Sequence, residues 1–576
     1  MPQVHFGPEA CACSRCSADL HVQKTHTRTV VTRAHGEFVA HETLLECAAT
    51  PSACPTVGSA TLARWVKPGH RYGYDLVVHA GLARYLHAKQ REEVRSELQE
   101  EGIDPGAGTV SNWCDQFLVY LEALHIHRAP ALRAALASGY PLHLDATCDQ
   151  GKGGLFVCLD GFRGWVLLAA RISSEREAVL APLVERTVAL FGDPLSTMRD
   201  LLDAQAKAVA PLRERGVPDL ICHYHFLRAV GTKLFDRLYK DLRALLLQSG
   251  VAADLKVLAR ELRRHEEAPA GTEDGPFGPG LIRDALPALV QWVLEGTGTK
   301  DLAFPFGLPH WDLVARARQL PQVADRFLPA PRTAPEWVAT GRLTFLARKL
   351  DQEPFPRLAH QLQEPWQAFC ELRDVLRLTN ADLPGANHGG CQLTLPALEL
   401  ARLQEIEKAF SSYAKRLSRN ASCAAATIRT YVDRYRAHLF GHPAVRDPTG
   451  AVLAVASRVN NALEHAFGQH KQRLRQRIGR AHLGRDMEQQ PPQAFLVQNL
   501  RDPQYVELLC GSLDRLPEAF ADLDARNLVP PASSLRDRRR TTLRSIARSV
   551  MNPPRNETTH RFPSGFTQSR TVPTVR

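Results

Sequence analysis

The 576-residue sequence lacks any stretch of about 18 apolar residues, the length that a membrane-spanning helix needs. Its first residues, MPQVHFGPEACACSRC, lack the apolar segment of a secretory signal, so we expect a cytoplasmic protein that does not enter a membrane. Internal repeats are also lacking. The composition, 44% hydrophobic and 23% charged, excludes a chain disordered throughout, a collagen-like repeat and a small disulfide scaffold.

Acidic residues are too few to balance the basic ones. Lys and Arg number 72 and Asp and Glu 61, which gives a net charge of +11. This excess favours a polyanionic partner, nucleic acid before a membrane surface. The 13 cysteines are an odd number scattered over a long chain, which indicates a reducing compartment and thiols that bind metal or lie buried. At roughly 150 residues per domain, the length predicts about three to four domains.

Cysteine pairs flank two strand-like runs in residues 1–60. The runs, His21–Thr32 and Glu37–Leu45, alternate polar with apolar or β-branched residues. A pair of cysteines, a hairpin and a second pair are typical of a zinc ribbon, in which four thiolates hold Zn²⁺ tetrahedrally.

The four predicted ligands are Cys13, Cys16, Cys47 and Cys54. The second pair, with six residues between its cysteines, is wider than usual, and Cys11 is a competing ligand. The alternative is a set of buried free thiols.

Residues 61–135 are predicted to be helical and to form a helix-turn-helix. Helices over Ala83–Glu101 and Thr109–Leu124 are separated by GIDPGAG, which forces a turn. Thr109 is a plausible N-cap. With Ser111 and Asn112 it would meet phosphates or bases of DNA, although a helical hairpin without a DNA contact is the alternative.

The apolar pattern changes over residues 139–235, where strands alternate with helices. The order is strand Tyr140–Thr147, strand Gly154–Leu159, strand Trp165–Ile172, helix Ser173–Phe191, strand Leu195–Asp200, a helix through about 214, and strand Asp219–Cys222. This order predicts an α/β sheet.

The remaining chain is mostly helical in pattern. Helices are expected over 236–450, and Ala451–Gly479 is a long helical candidate within 451–530. Residues 531–576 are rich in Arg, Ser, Thr and Pro, so we expect a disordered basic tail there.

Three acidic residues are candidates for catalysis. Asp145 and Asp200 each lie at the carboxyl end of a predicted strand, where reactive groups can converge. Either could instead be a turn or capping residue, and Asp203 is a rival for the role of Asp200. Glu464 lies on a helix that carries Asn460, Lys471 and Arg475 on the same face.

The ordinary interpretation of that face is a solvated helix surface. Its apolar side is formed by Val459, Leu463, Phe467, Leu474 and Ile478. Three carboxylates that converge repel one another and are tolerated when divalent cations compensate. Two Mg²⁺ ions about 3.5–4 Å apart would activate an attacking oxygen and stabilise the leaving oxygen of a phosphodiester.

Four sequence pieces in order resemble bacterial insertion-sequence transposases of the DDE type, which have an RNase H-like catalytic fold. They are HLDAT, MRDLLDAQAKAV, CHYHFLRAVG and NNALEHAFGQHKQRLRQRIGR. The distance from Asp200 to Cys222 is similar to that in members with a CxxH motif, such as Mutator-like transposases.

The resemblance implies that Asp145, Asp200 and Glu464 are the catalytic acids and hold two Mg²⁺ ions, for which Mn²⁺ can substitute. It places Cys222 and His225 at the CxxH positions, to which we assign a structural role. The basic face of Asn460, Lys471 and Arg475 would meet double-stranded DNA at element ends and target. A homodimer or larger assembly, associated with the nucleoid, is also implied.

A large insertion separates the second and third acids, since 464 − 200 is 264 residues. The expected fold is therefore a multidomain α+β protein. Its RNase H-like core, in two parts at 139–235 and 451–530, is interrupted by an all-α insertion at 236–450 that carries Trp311, Trp337 and Trp366. An insertion tryptophan would stack on an unpaired base, although a core position is the commoner role.

Two alternatives to a transposase stay open. A nuclease of the same fold would cut DNA or RNA without joining it, and a transposase-derived regulator would bind DNA without catalysis.

Overall fold

The computed structural model describes residues 1–51, 53–147, 154–266, 281–295, 304–327, 334–378 and 396–530. The strands are β1 (Gln3–Phe6), β2 (Leu20–Thr32), β3 (Gly36–Cys47), β4 (Pro141–Thr147), β5 (Gly154–Asp160), β6 (Val166–Ile172), β7 (Ser196–Arg199), β8 (Asp219–Ile221), β9 (Ala444–Arg446) and β10 (Val452–Val455). The predicted basic tail, 531–576, lies outside the described residues.

The helices before the long helical region are α1 (Ala60–Trp65), α2 (Tyr74–Gly81), α3 (Arg91–Glu100), α4 (Ala107–His127), α5 (Ala129–Ala135), α6 (Glu177–Phe191), α7 (Asp203–Ala208) and α8 (Ala210–Glu214). Those that follow are α9 (His223–Ser249), α10 (Val251–Glu266), α11 (Leu281–Glu295), α12 (Pro309–Phe327), α13 (Ala334–Leu350), α14 (Phe355–Val375), α15 (Pro396–Leu417), α16 (Cys423–Leu439), α17 (Asn461–Ile478), α18 (Gly484–Gln489), α19 (Pro503–Cys510) and α20 (Leu516–Ala525). A π-helical turn covers Leu82–Leu86, and 3-10 helices cover Pro492–Arg501 and Leu513–Arg515.

The N-terminal sheet has the order β1-β3-β2. β2 and β3 form the predicted antiparallel hairpin, paired from Leu20 opposite Cys47 to Thr32 opposite Gly36. Its apolar face packs on α1 in a small core of Phe6, Val30, Phe38, Ala40, Leu62 and Val66. The predicted strands are therefore confirmed, and α1 belongs with them.

The predicted helix over Ala83–Glu101 is wrong, because the chain breaks between the π-helical turn and α3. Ala88 adopts a positive φ of 60°, which interrupts helical hydrogen bonding. The second predicted helix is present as α4, but it begins at Ala107 with Gly106 at the N-cap, so Thr109 lies inside the first turn. α2 and α4 cross so closely that a Cβ on Gly81 would meet the Phe117 ring at 2.0 Å.

The central sheet has the order β6-β5-β4-β7-β8. β4, β5 and β6 are antiparallel neighbours, whereas β7 is parallel to both β4 and β8. All five strands predicted for this region are present within about two residues. Since β4 and β7 run in the same direction, their carboxyl ends meet at one edge of the sheet.

The largest hydrophobic core joins three stretches of sequence. It includes α2–α5, strands β4–β6 with α6, and the segment from Leu463 on α17 to Leu523 on α20. Helices α2–α5 of the predicted 61–135 unit therefore share one core with the sheet, whereas α1 packs on the N-terminal hairpin.

A second core holds the helical region. It includes residues of α9–α16 together with Met198 on β7 and Leu220 on β8. α9 passes close to α14, since a Cβ on Gly231 would lie 2.9 Å from Cε2 of Phe369 and 2.7 Å from Cβ of Pro305. Trp311 and Trp366 pack against this core, while Trp337 is 61% exposed.

The predicted long helix over Ala451–Gly479 is wrong at its N-terminal end. β9 and β10 form an antiparallel hairpin there, and the helix begins only at Asn461. The apolar side assigned to it is otherwise present, since Leu463, Phe467 and Leu474 are buried. None of the described helices combines the length and apolar character needed to cross a membrane.

Candidate functional site

Asp145 lies near the carboxyl end of β4, where the strand leaves the core. Its side chain is 6% exposed, and Oδ1 accepts the backbone N–H of Ala146 at 2.7 Å. Burial raises the pKa of Asp145 well above its usual value, and the nearby charges of Asp200 and Glu464 raise it further. The three carboxylates, which we call the acid cluster, therefore interact electrostatically although the residues lie far apart in sequence.

Asp200 follows β7 directly, and a glutamine positions its backbone. The Asp200 N–H donates to Oε1 of Gln205 at 3.1 Å, and Nη1 of Arg199 donates to the Asp200 carbonyl at 2.8 Å. Its rival Asp203 points elsewhere, with Oδ1 2.6 Å from Nη2 of Arg434. Of the two aspartates, the structure brings Asp200 to the acid cluster.

Glu464 lies in the first turn of α17, and the residue before that helix fixes it to the sheet. Nδ1 of His143 on β4 donates to Oδ1 of Asn460 at 2.8 Å, and the Asn460 amide donates to the Leu144 carbonyl at 3.4 Å. The Asn460 N–H also points at Sγ of Cys222, 3.3 Å away.

Asn460 is completely buried, so its predicted contact with DNA is wrong: strand β4 uses the whole amide. The residue instead ties the helix of Glu464 to the strand of Asp145.

His225, on the first turn of α9, lies between two members of the acid cluster. Its Nδ1 is 2.6 Å from Oδ1 of Asp200, and its Nε2 is 3.6 Å from Oε1 of Glu464. Burial works against the charged ring, but Asp200 and Cys222 outweigh it and raise the pKa of His225 to about 12. An imidazolium therefore offsets part of the negative charge.

The donor set of the acid cluster suits hard divalent cations, which prefer carboxylate oxygens. Asp200 and Glu464 both raise the pKa of Asp145, which shows that negative charge is concentrated at this edge of the sheet, while His225 opposes them. The carboxylate oxygens of the acid cluster lie farther from one another than the sulfur atoms of the N-terminal cysteines do. Among the residues that the structure describes, only the thiols form a group of three or more possible ligands that all lie within 4.8 Å of one another.

Several contacts around the acid cluster had no signal in the sequence. Arg199 and Asp219 form a buried two-point ion pair between β7 and β8, with Nε–Oδ1 and Nη2–Oδ2 distances of 2.8 and 2.9 Å. Neither this pair nor the His143–Asn460 contact follows from local pattern, because each joins residues from separate elements. The CxxH motif singled out His225, but it did not indicate that the ring contacts the carboxylates of Asp200 and Glu464.

The four predicted zinc ligands come together at the end of the N-terminal hairpin. The sulfur atoms of Cys13, Cys16, Cys47 and Cys54 all lie within 4.8 Å of one another. Backbone N–H groups of the turn at Arg15 and Cys16 lower the pKa of Cys13, and those near Thr50 help lower the pKa of Cys47 to about 6. This tetrathiolate cluster could bind zinc, and Cys11 lies outside it.

The other predicted DNA contacts lie on two helices. At the start of α4, Asn112 is exposed and Thr109 is half-buried, whereas Oγ of Ser111 accepts from Nη1 of Arg91 at 2.9 Å. On α17, Lys471 is half-buried and Arg475 is exposed, with its Nε donating to the Ala481 carbonyl at 3.2 Å. These positions are at the surface, and their contact with DNA stays a prediction.

No protein-family model matches this chain, and no curated protein matches its sequence.

Proposed function

We propose that the protein is a DNA transposase that cleaves and joins phosphodiesters with the acid cluster. The observation that carries the proposal is the convergence of Asp145, Asp200 and Glu464 from two parallel strands and a helix 264 residues further along the chain, 464 − 200. The sheet order and the helical region between the second and third acids support an RNase H-like core with an insertion.

Asp145, Asp200 and Glu464 are the residues that would hold Mg²⁺ or Mn²⁺. The bound ions would supply Lewis acidity toward the scissile phosphate and lower the pKa of the attacking water or 3′-hydroxyl. Asn460 holds Glu464 in place from β4, and Gln205 orients the backbone of Asp200. His225 lies between Asp200 and Glu464 and would limit the repulsion between them.

The N-terminal elements and the basic surface would bind DNA in this proposal. The tetrathiolate hairpin and the start of α4, with Thr109, Ser111 and Asn112, would recognise element ends, while Lys471 and Arg475 would neutralise phosphates beside Glu464. Both element ends must be processed together, so the working form would be a homodimer or larger assembly on DNA in the nucleoid.

The test is an assay for cleaved and joined DNA with the full chain, Mg²⁺ or Mn²⁺, and a plasmid carrying the sequences that flank the gene. We expect nicked and joined products, and we expect Asp145→Asn, Asp200→Asn and Glu464→Gln each to abolish both while the protein still retards the DNA in a gel. Cleavage without joining would indicate a nuclease. Full activity of any of the three variants would remove that residue from the site, and a wild-type chain that binds DNA without cutting it would indicate a regulator.

A further inference from the structure

A group of four arginines lies on α17 and its neighbours, on the side of the helix away from Glu464. Arg473 and Arg477 belong to α17, Arg84 to the π-helical turn, and Arg501 to the 3-10 helix Pro492–Arg501. We call the cleft between these elements the arginine groove. Arg473 follows Glu464 by nine residues, which is roughly 14 Å along the helix axis and half a turn around it.

Each of these arginines contacts a neutral group. Arg473 donates to Oε1 of Gln469 at 3.1 Å, Arg501 to the Leu86 carbonyl at 3.3 Å, and Arg84 to the Lys89 carbonyl at 3.5 Å. The Arg477 guanidinium lies 5.3 Å from the centre of the Tyr85 ring. Carbonyls, an amide and a ring are neutral groups, so these contacts do not neutralise the four charges; Asp115 and Asp486 are acids near this region.

The arginines also disfavour one another's charged form. Burial and the neighbouring Arg84 lower the pKa of Arg477 to about 10, and burial with the charge of Arg501 lowers the pKa of Arg473. Asp486, which pairs with Arg480 at 4.0 Å, acts on Arg477 in the opposite direction but does not outweigh burial and Arg84. Like charges held this close are a cost that an anionic ligand would relieve.

Polar atoms at the base of the groove have no hydrogen-bond partner. They are Nε of Arg477, Oε1 of Gln490 and Nε2 of Gln498, all buried. Together with Arg84, Tyr85 and His470 they line a recess of only about 10 Å³, which is the size of one water molecule. The recess is too small for a phosphate, so a ligand must lie above it.

The open part of the groove has a volume of about 440 Å³. It is lined by Leu86, His87, Ala88, Gln469, Gln472, Arg473, Gln476 and Arg501. Small-molecule sites are mostly enclosed and apolar, whereas this cleft is open and bordered by amides and guanidinium groups. These groups are typical of contacts to the nucleic-acid backbone.

We propose that the arginine groove binds backbone phosphates of double-stranded DNA at a position separate from the acid cluster. The identity of the partner rests on the proposed function, and the groove extends that function by a second, sequence-independent contact. Arg473 and Arg501 reach the phosphates directly, and Arg84 and Arg477 strengthen the positive potential from below.

The test measures binding of the full chain to a fluorescent DNA duplex without added Mg²⁺, over about 50 to 200 mM KCl. The variant R473Q/R501Q removes two cations from the groove. We expect it to bind about tenfold more weakly at the low end of this range, and the slope of log affinity against log salt to fall by about 2, since each phosphate contact contributes about 0.9. The control K240Q/R260Q removes two exposed cations from α9 and α10 and should bind like the wild type.

A second variant guards against a folding defect. Gln472 and Gln476 are exposed on the groove wall, so Q472E/Q476E adds two repulsive charges without touching the core. It should weaken binding as R473Q/R501Q does, while Q363E/Q404E, which adds the same charge at exposed positions of α14 and α15, should not.

The results distinguish the groove inference from the transposase proposal. If both groove variants match their controls, the groove inference is wrong and the transposase proposal is unaffected. If the groove variants lose affinity but the wild type cuts no DNA with Mg²⁺ or Mn²⁺, the groove inference stands and the proposed activity is wrong. A wild-type chain that does not bind the duplex would overturn the groove inference outright.

Discussion

Asp200 and Asp203 lie three residues apart and face different neighbours. Asp200 is 2.6 Å from His225 and acts electrostatically on Asp145, whereas Asp203 opens α7 and pairs with Arg434 at the surface. The sequence left both open as the second acid, because each follows the same strand. The end of β7 at Arg199 favours Asp200, since it leaves Asp200 as the first residue beyond the sheet edge.

Exchange of each aspartate for asparagine tests this assignment. Asp200→Asn should lower the rate of metal-dependent DNA cleavage about 10³-fold, because an ion held by carboxylates contributes several kcal/mol at the transition state. Asp203→Asn loses only an exposed ion pair and should stay within about twofold of the wild type. Single-turnover cleavage rates of the two purified variants give the comparison, and the reverse ranking would exchange their roles.

At the scale of residues, the sequence singled out Asp145, Asp200 and Glu464, and the charges of the last two act on the first, but it did not indicate what surrounds them. A carboxylate at the end of a strand can be recognised from the apolar run before it. The partner of Asn460 cannot be recognised from the sequence. Neither the NN pair at 460–461 nor PLHLDAT at 141–147 shows that His143 and Asn460 lie 2.8 Å apart. Local helical spacing placed Asn460 on the basic face, and its burial against β4 overrides that placement.

The elements were predicted best where one physical pattern dominates. β4 and β5 are continuous apolar runs and were found within about two residues, because such runs are buried on both faces. The errors at Ala83–Glu101 and Ala451–Gly479 share a cause. In both, good helix formers in one part of the segment led to a helix that was drawn too long, and the Val, Ser and Asn residues of 452–461 were signals against a helix there.

The tetrathiolate cluster lies at the end of the N-terminal hairpin, and its ligand set is testable. The full chain should contain about one Zn²⁺, and Cys16→Ser should lose it, since structural sites need four ligands. Cys11→Ser is the matched control, because Cys11 is also exposed but lies outside the cluster.

Zinc content by mass spectrometry and the thermal unfolding of both variants measure this prediction. Cys16→Ser should also lower the melting temperature, because zinc binding contributes directly to folding. Equal zinc content in the two variants would remove Cys16 from the ligand set.

Across the whole molecule, neutral histidines are built into the largest core. Burial lowers the pKa of His125 to about 4, and the Tyr505 hydroxyl and Leu167 carbonyl occupy its Nδ1 and Nε2 at 2.7 and 3.0 Å. Burial likewise lowers the pKa of His143 to about 4. As uncharged hydrogen-bonding groups, the His125 ring joins α4 to α19 and β6, and the His143 ring joins β4 to Asn460.

Acid should therefore destabilise the fold through these rings. Between an ordinary pKa of 6.5 and the folded value of about 4, the unfolded chain binds more protons than the folded chain, so stability falls as pH falls through this window. His125→Gln removes one such group and should make the pH dependence of unfolding shallower by up to about one proton. Urea unfolding between these pH values, with His26→Gln at an exposed position as control, measures the difference; equal slopes would show that His125 does not contribute.

α9 is a single helix of 27 residues, so it extends roughly 40 Å. One end carries His225 against Asp200 and Glu464, and the remainder is held in the core of the helical region by Phe235 and Leu242. Because the helix is continuous, a tilt of a few degrees in the helical region would shift the His225 imidazolium relative to the carboxylates of Asp200 and Glu464. A force applied to the helical region, far from the sheet, would in this way change the geometry at the acid cluster.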